Sequence, residues 1–310
     1  MPGGSDNSTG LAGFLENVLL RATRAYTFNT PIRRGKYRVA DTALRLVRGS
    51  HHGLLATTHD GRQFQVDLSA GMGFVFLCGE YEFALTRIVS TLIGSGDVCI
   101  DVGANFGWYT TLFSRLAGPS GLVIAFEPVP NTFEVLKQNV GLSPDLQNIR
   151  FVNSALGETV GETTIFVPFV SAGYASMAFA EASDPVTARL IDLDSYLKDN
   201  AVGSVDLVKI DVEGAELMML RGAESLFTQA VPPTLMIEVA ANQASKFGAT
   251  HNDILEHIDS RRDYDFFMVD ETRVIIEQFR RFPDDHIGAN VFCIPKERPA
   301  KLEAISKFLS

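Results

Sequence analysis

The sequence predicts an α/β protein built on a mostly parallel sheet with helices on both faces. Three observations point there. From Asp97 onward, strand-sized apolar runs alternate with helical segments, the pattern of strands joined by crossover helices. Those helices carry start and stop residues such as Gly118-Pro119 and Pro128-Val129-Pro130. A glycine-bearing turn follows the first strand, Val98–Val102, and opens a helix, and ligands of open α/β sheets bind at such a place.

Composition narrows the class further. With 310 residues and 46% apolar content, the chain can bury a real core, so it is not disordered as a whole. Its 27 Lys and Arg against 37 Asp and Glu leave a formal charge of −10. A nucleic-acid backbone is repelled by that balance unless a basic patch is segregated, and none is expected. Cys78, Cys99 and Cys293 form no C-x-x-C pair, which argues against a disulfide framework and a zinc knuckle.

Taken in order, the chain opens with MPGGSDNSTG, read as a disordered tail over residues 1–10. The segment LAGFLENVLL is interrupted by Glu16 and Asn17 and lacks a basic leader, so it reads as a short helix from Leu11 and not as a signal peptide. No window reaches the roughly 18 uninterrupted apolar residues of a membrane span. The expectation is a soluble, cytoplasmic protein. Asp60-Gly61 sits between two strand-like runs and predicts a β-hairpin. These elements make an N-terminal extension over 11–78.

The main domain is expected over 79–298. GEYEFALTRIVSTLI has helical spacing and leads into it. Strands VCIDV, LVIAFE and IRFVNSAL then alternate with helices NFGWYTTLFSRLA and NTFEVLKQNV, the second with Asn131 as N-cap and Glu134 three residues on, a capping-box spacing. Residues 157–196 read as a hairpin and a loop over the sheet's edge. DLVKIDV, the helix GAELMMLRGAESLF, the strand TLMIEVA, a helix from Asn252 to about Ser260 and two late strands, YDFFMVD and ANVFCIP, complete the domain. A C-terminal helix is placed over 299–310.

The most informative segment is Asp101-Val102-Gly103-Ala104-Asn105-Phe106-Gly107. A dinucleotide turn places glycine where Asn105 stands, so that backbone amides can touch a pyrophosphate. Asn105 crowds that approach, and Asp101 repels phosphate while favouring a cationic group. Twenty-six residues later the second strand ends at Glu127, whose carboxylate can accept hydrogen bonds from ribose hydroxyls. Ser154 and Ala155 at the third strand end leave room for an adenine ring. Adenosine with a cationic amino-acid tail is S-adenosylmethionine. A nicotinamide-dependent oxidoreductase on a similar sheet and a non-catalytic binding module are the alternatives.

The strings DVGANFGWYT, AFEPVPNTFEVLKQN, LIDLDSYL and VKIDVEGAELMMLRGAE resemble those of the FkbM-type family of S-adenosylmethionine-dependent methyltransferases, from about Gly79 to Val239. The resemblance implies cofactor contacts at Asp101, Gly103, Asn105, Gly107, Glu127, Ser154 and Ala155, and Glu82 and Asp211 are expected to join them. It also matches the family's tyrosine-glutamate pair to Tyr81-Glu82 and its small hydroxyl residue to Ser176. It implies a class I methyltransferase fold, a seven-stranded sheet whose last strand runs antiparallel, and O-methylation of sugars, glycolipids or secondary metabolites.

Lys209, Asp211 and Glu213 end the fourth main strand, where alternation puts them on one face beside the cofactor. A carboxylate there can take the proton of an alcohol nucleophile, and Lys209 can stabilise charge on the oxygen. Glu238 on the neighbouring strand completes the pocket. The same carboxylates suit a divalent cation, and base and metal readings both stand. Glu216 reads as a first-turn helix acid. His51, His52 and His59 read as loop residues, His257 as a helix residue and His251 as a weak acceptor-side candidate. Phe106, Trp108 and Tyr109 are candidates to wall the pocket. The N-terminal extension is expected to cover a small-molecule or glycan acceptor, mediate a homodimer, or both.

Overall fold

The computed structural model describes residues 11–30, 35–47, 53–68, 72–168, 183–283 and 285–310. The tail expected over 1–10, His51, His52 and Ser176 lie outside the described residues. The chain divides into two compact units, Met1–Tyr81 and Glu82–Ser310.

The first unit holds helices α1 (Leu11–Asn29) and α2 (Lys36–Leu46), strands β1 (Leu54–Thr57) and β2 (Gln63–Val66), and helix α3 (Gly73–Cys78). Leu20, Ala40, Ala43, Leu77 and Cys78 bring the three helices together as a small core. β1 and β2 pair antiparallel across the Asp60-Gly61 turn. There Gly61 has φ +85° and the buried Arg62 donates to Asp60 at 2.9 Å. Sequence periodicity did not anticipate α2, which buries only Lys36, Ala40 and Ala43, nor α3, whose run GFVFLC is too short and too uniformly apolar to show a period.

The second unit opens with α4 (Phe83–Val89), shorter than expected. Ser90 and Thr91 turn their hydroxyls back onto the carbonyls of Thr86 and Ile88 and close the helix. Three strands and two helices follow: β3 (Val98–Val102), α5 (Trp108–Ala117), β4 (Leu122–Phe126), α6 (Pro130–Gly141) and β5 (Ile149–Val152). Asn131 does not cap α6. Pro130 occupies the first helical position, where its fixed φ suits the helix, and Val129 precedes it without a side-chain cap.

The expected strand IRFVNSAL is broken after Val152. Its end becomes β6 (Ala155–Leu156), which joins β7 (Gly161–Pro168) and β8 (Ser183–Ile191) in a separate three-stranded sheet of order β6-β8-β7. The chain continues through α7 (Leu193–Asp199), β9 (Leu207–Ile210), α8 (Glu216–Arg221), α9 (Ser225–Thr228), β10 (Thr234–Ala240), α10 (Ala241–Ala244) and α11 (His251–Arg261). A capping box between Thr250 and Asp253 sets the start of α11 one residue before the expected Asn252. The last elements are β11 (Tyr264–Asp270), β12 (Ile275–Phe279), β13 (Gly288–Pro295) and α12 (Pro299–Ser306).

The main sheet has order β12-β11-β13-β10-β9-β3-β4-β5. β10, β9, β3, β4 and β5 pair in parallel, and the last strand, β13, inserts antiparallel between β10 and β11. Among the described residues the sheet has eight strands, not seven. The extra strand, β12, folds back on β11 as a hairpin at the edge. Register partners on one face of the sheet, among them Ile100, Phe126, Val208 and Ile237, pack with Leu220 of α8 in one core. The strand order reverses between β3 and β9, so the carboxyl ends of β3, β4 and β9 meet at the switch point.

Candidate active site

The site grows from the turn after β3. Gly103 takes φ +74°, and its amide and that of Ala104 both donate to the carbonyl of Phe126 at the end of β4. A Cβ on Gly103 would lie 1.9 Å from the carbonyl oxygen of Asp211, so only glycine lets β3 and the segment after β9 approach this closely. Asn105, also left-handed at φ +50°, donates its amide to Glu127 Oε2 at 2.9 Å. The other carboxylate oxygen of Glu127 accepts from the Val129 amide at 3.0 Å. One side chain therefore ties the glycine turn to the start of α6. Burial pushes Glu127 up to about 7 against the pull of these two amides.

A cleft opens over these strand ends. Gly103, Asn105, Glu127, Pro128, Ser154 and Ala155 line one part of it, and Asp211, Val212 and Glu213 the other. Three carboxylates face the cleft, and no Lys, Arg or His among the described residues lines it. A pyrophosphate finds no cation there.

Behind the cleft lies a buried charge cluster. Lys209 Nζ stands 3.0 Å from Asp211 Oδ2 and 3.7 Å from Asp101 Oδ1, and donates to the carbonyl of Gly103 at 3.0 Å. Asp101 is fully buried and accepts from Thr110 at 2.6 Å. Burial raises its pKa despite Lys209. Asp211 is held below the usual carboxylate range by Lys209 and by a hydrogen bond with Glu238, which outweigh its burial. Glu238 is pushed up to about 9 by burial and by the charge of Asp211. Glu213 is pushed up to about 8 by burial and the same neighbour, and accepts from the Gln243 amide. One carboxylate oxygen each from Asp211, Glu213 and Glu238 lie within 4.8 Å of one another, an all-oxygen donor set suited to a hard cation.

Of the residues singled out from the sequence, Gly103, Asn105, Glu127, Ser154, Ala155, Asp211 and Glu213 meet in one cleft, with Glu238 beside the last two. Asp101 does not line the cleft, because its charge is turned inward onto Lys209. Lys209 is likewise buried and bonded on several sides, so it is a counter-ion for carboxylates and not an open oxyanion donor. Gly107 starts α5 at φ +93°, with Leu136 packed where a Cβ would sit, and shapes the turn without touching the cleft.

Glu82 accepts from Tyr109 at 2.6 Å and is pushed up to about 7, chiefly by burial. The aromatic trio does not wall the cleft: Phe106, Trp108 and Tyr109 are buried, and the Trp108 indole donates to Thr86. Glu216 opens α8 and accepts from the amide of Gly214 at 2.9 Å. His251 is buried against Phe282, with Nε2 3.3 Å from the carbonyl oxygen of Pro283, and is no acceptor-side group. His257 lies in α11 beside Glu224, and His59 is exposed at its turn. Sequence reasoning missed Gln243, which lies just past β10 and becomes a partner of Glu213 only in the folded chain.

The residues present fit S-adenosylmethionine. Glu127 offers the remaining carboxylate lone pairs to ribose hydroxyls, the small Ser154 and Ala155 leave room for a base, and the acidic side of the cleft suits a sulfonium and an ammonium group.

Strand order and the antiparallel β13 define a Rossmann-like domain of the class I methyltransferase type. Residues 101–267, more than half of the chain, match the model of the methyltransferase FkbM domain, and the chain belongs to that family. Hexuronic acid methyltransferase AglP of Haloferax volcanii is 31% identical over 146 residues, which cover 47% of this chain and 57% of that protein. Methyltransferase sdnD of Sordaria araneosa is 26% identical over 160 residues, covering 42% of this chain and 61% of its own. The 31-O-demethyl-FK506 methyltransferase FkbM of Streptomyces tacrolimicus is 26% identical over 162 residues, covering 42% and 60%. The chain thus spans about three-fifths of the length of these curated relatives. A solved structure of a putative methyltransferase from Streptococcus mutans in complex with SAH aligns over 70% of this chain and 98% of its own, at 10% identity and a TM-score of 0.41.

Proposed function

We propose that the chain transfers the methyl group of S-adenosylmethionine to a hydroxyl oxygen of a sugar, a glycolipid or another small acceptor. The observation that carries this reading is the cleft over three strand ends, lined by Glu127, Asp211 and Glu213 and, among the described residues, by no cationic side chain. Such a lining matches a cationic nucleoside and disfavours NAD. The names of two relatives, a hexuronic acid methyltransferase and a 31-O-demethyl-FK506 methyltransferase, support an oxygen acceptor on a sugar or secondary metabolite. Three free, buried cysteines support a reducing, cytoplasmic location.

When bound, S-adenosylmethionine supplies an electrophilic methyl group on sulfur. Glu127 holds the ribose, and the glycine turn sets the depth of the cleft. Asp211 stays ionised beside Lys209 and balances the positive charge of the cofactor. Glu213 is the proton acceptor for the attacking hydroxyl: it faces the cleft, its pKa of about 8 matches the task, and Gln243 orients it. Its left-handed backbone, φ +56° in a non-glycine residue, is the kind of strain that functional sites retain. Most of the acceleration comes from positioning the two reactants.

A second reading, in which a divalent cation activates the hydroxyl, draws on the 4.8 Å grouping of Asp211, Glu213 and Glu238. The deciding experiment is calorimetry with S-adenosylmethionine and with NAD, followed by an acceptor screen with a labelled methyl donor in the presence and absence of EDTA. Affinity for NAD alone would overturn the methyltransferase reading. Activity lost in EDTA and restored by Mg²⁺ would replace the base with the metal.

A further inference from the structure

We propose that the first unit docks on the surface of an anionic lipid bilayer, with α1 and α2 lying in the plane of the headgroups. At 100° per residue, Phe14, Leu15, Val18, Ala22, Ala25 and Tyr26 share an arc of about 120° on α1. They are exposed, Phe14 at 64% and Leu15 at 56%. The opposite side of the same helix is already in use: Leu20, Thr23 and Thr27 are buried, and Thr27 donates to the carbonyl of Leu77 in α3. A helix with one face packed normally shows polar residues on the other. Here the outer arc is apolar up to Asn29 at the helix end and contains no acidic residue. α2 adds exposed Val39 and Leu46.

Charge says what covers this face. Residues 11–48 hold eight Lys and Arg against two acidic residues, a net charge of +6 (8 − 2), in a chain whose total is −10. The expectation that basic residues are not segregated is therefore corrected: the remainder of the chain carries −16 (−10 − 6). Of these basic residues, Arg21 and Arg38 are exposed, and Arg45 is 79% exposed beside Asp41. Lys36 is held inside by Glu80 at 2.6 Å. Large apolar side chains beside arginines, with few acids, make the surface that an anionic bilayer attracts and partly buries.

A nucleic acid would meet the arginines but leave Phe14, Leu15 and Val18 without a partner. A second copy of the chain would bring two basic faces together. No helix among the described residues is long and apolar enough to cross a membrane, so the contact is peripheral. This inference does not depend on the methyl-transfer reading.

The test is co-sedimentation of the full chain with vesicles of phosphatidylcholine alone and of phosphatidylcholine mixed with phosphatidylglycerol. Binding to the mixed vesicles is expected to be roughly tenfold stronger or more, and to weaken as salt is raised. The triple variant Phe14→Ser, Leu15→Ser, Val18→Ser should lose roughly tenfold or more of that binding while keeping its circular dichroism and its affinity for S-adenosylmethionine. Three results would overturn the proposal: a folded chain that stays in the supernatant, a triple variant that sediments like the parent, or light scattering that shows a dimer which the triple variant dissolves. Tighter binding to duplex DNA than to the mixed vesicles would overturn it as well.

Discussion

The Lys209 ammonium donates to the carbonyl oxygen of Gly103 at 3.0 Å, pinning β9 to the turn that follows β3. The same ammonium stands between Asp101 and Asp211, so one cation holds the cleft's floor and balances a buried acid and a half-buried one. Replacing it by a residue of similar length, Lys209→Met, leaves Asp101 as an uncompensated buried charge. We expect a loss of about 3–5 kcal/mol in urea unfolding. The double variant Lys209→Met, Asp101→Asn should recover part of it. A single variant as stable as the parent would show that the ion pair is dispensable.

Glu127 is expected to dominate nucleoside affinity. Removing a charged acceptor of hydrogen bonds costs about 1.5–3 kcal/mol, so Glu127→Ala should weaken S-adenosylhomocysteine binding by roughly 10- to 100-fold in calorimetry. Because Glu127 also holds the amides of Asn105 and Val129, a drop in melting temperature accompanies it. Unchanged affinity in the folded variant would remove Glu127 from the ribose site.

Gly103→Ala tests the close approach of β3 to the segment after β9. The added Cβ meets a backbone oxygen, which cannot rotate away, and the left-handed φ adds strain. We expect a destabilisation of about 3 kcal/mol or more, read in denaturant unfolding, against a far smaller effect for Gly141→Ala, where nothing lies within 4 Å.

Stability should fall as pH rises. Glu82, Glu127 and Glu216 are raised to about 7, Glu213 to about 8 and Glu238 to about 9, from an ordinary 4.5. The folded chain therefore keeps protons that the unfolded chain has released, and ∂ΔG/∂pH is negative in that window. Their stabilising effect is complete below about 4.5 and is lost as pH climbs through 7 to 9. Melting curves of the cofactor-free chain across this range should show the decline, and Glu238→Gln should flatten its alkaline part. A melting temperature that rises over the same interval would contradict the burial of these acids.

Activity should move the other way. If Glu213 accepts the hydroxyl proton, kcat/KM rises with pH through a midpoint near 8 and levels off above it. Glu213→Gln should lower turnover by roughly 10²- to 10⁴-fold and abolish the rising limb while S-adenosylmethionine still binds. A variant that keeps the limb would assign the proton to another group.

Much of this molecule can be read from its residue order, and the limits are instructive. Strand and helix alternation from Asp97 onward, the Asp101–Gly107 turn and Glu127 at the next strand end are local patterns that the fold keeps. Elements lacking a period escaped: α2 buries too little, α3 is apolar throughout, and β12 is a five-residue edge strand. The cap of α6 went to a different residue because Glu127 and Pro130 organise that start from outside any capping box.

What residue order settled is the sheet class, the location of the cleft at three strand ends and the acidic character of its lining. What waited for the folded chain is which charges face inward: Asp101 and Lys209 point at each other beneath the cleft, while Asp211 and Glu213 remain on its wall. The reason is physical. Periodicity describes how a segment presents itself to its immediate neighbours. A buried charge is tolerated only beside its counter-ion, and strands over a hundred residues apart become neighbours only when the sheet assembles.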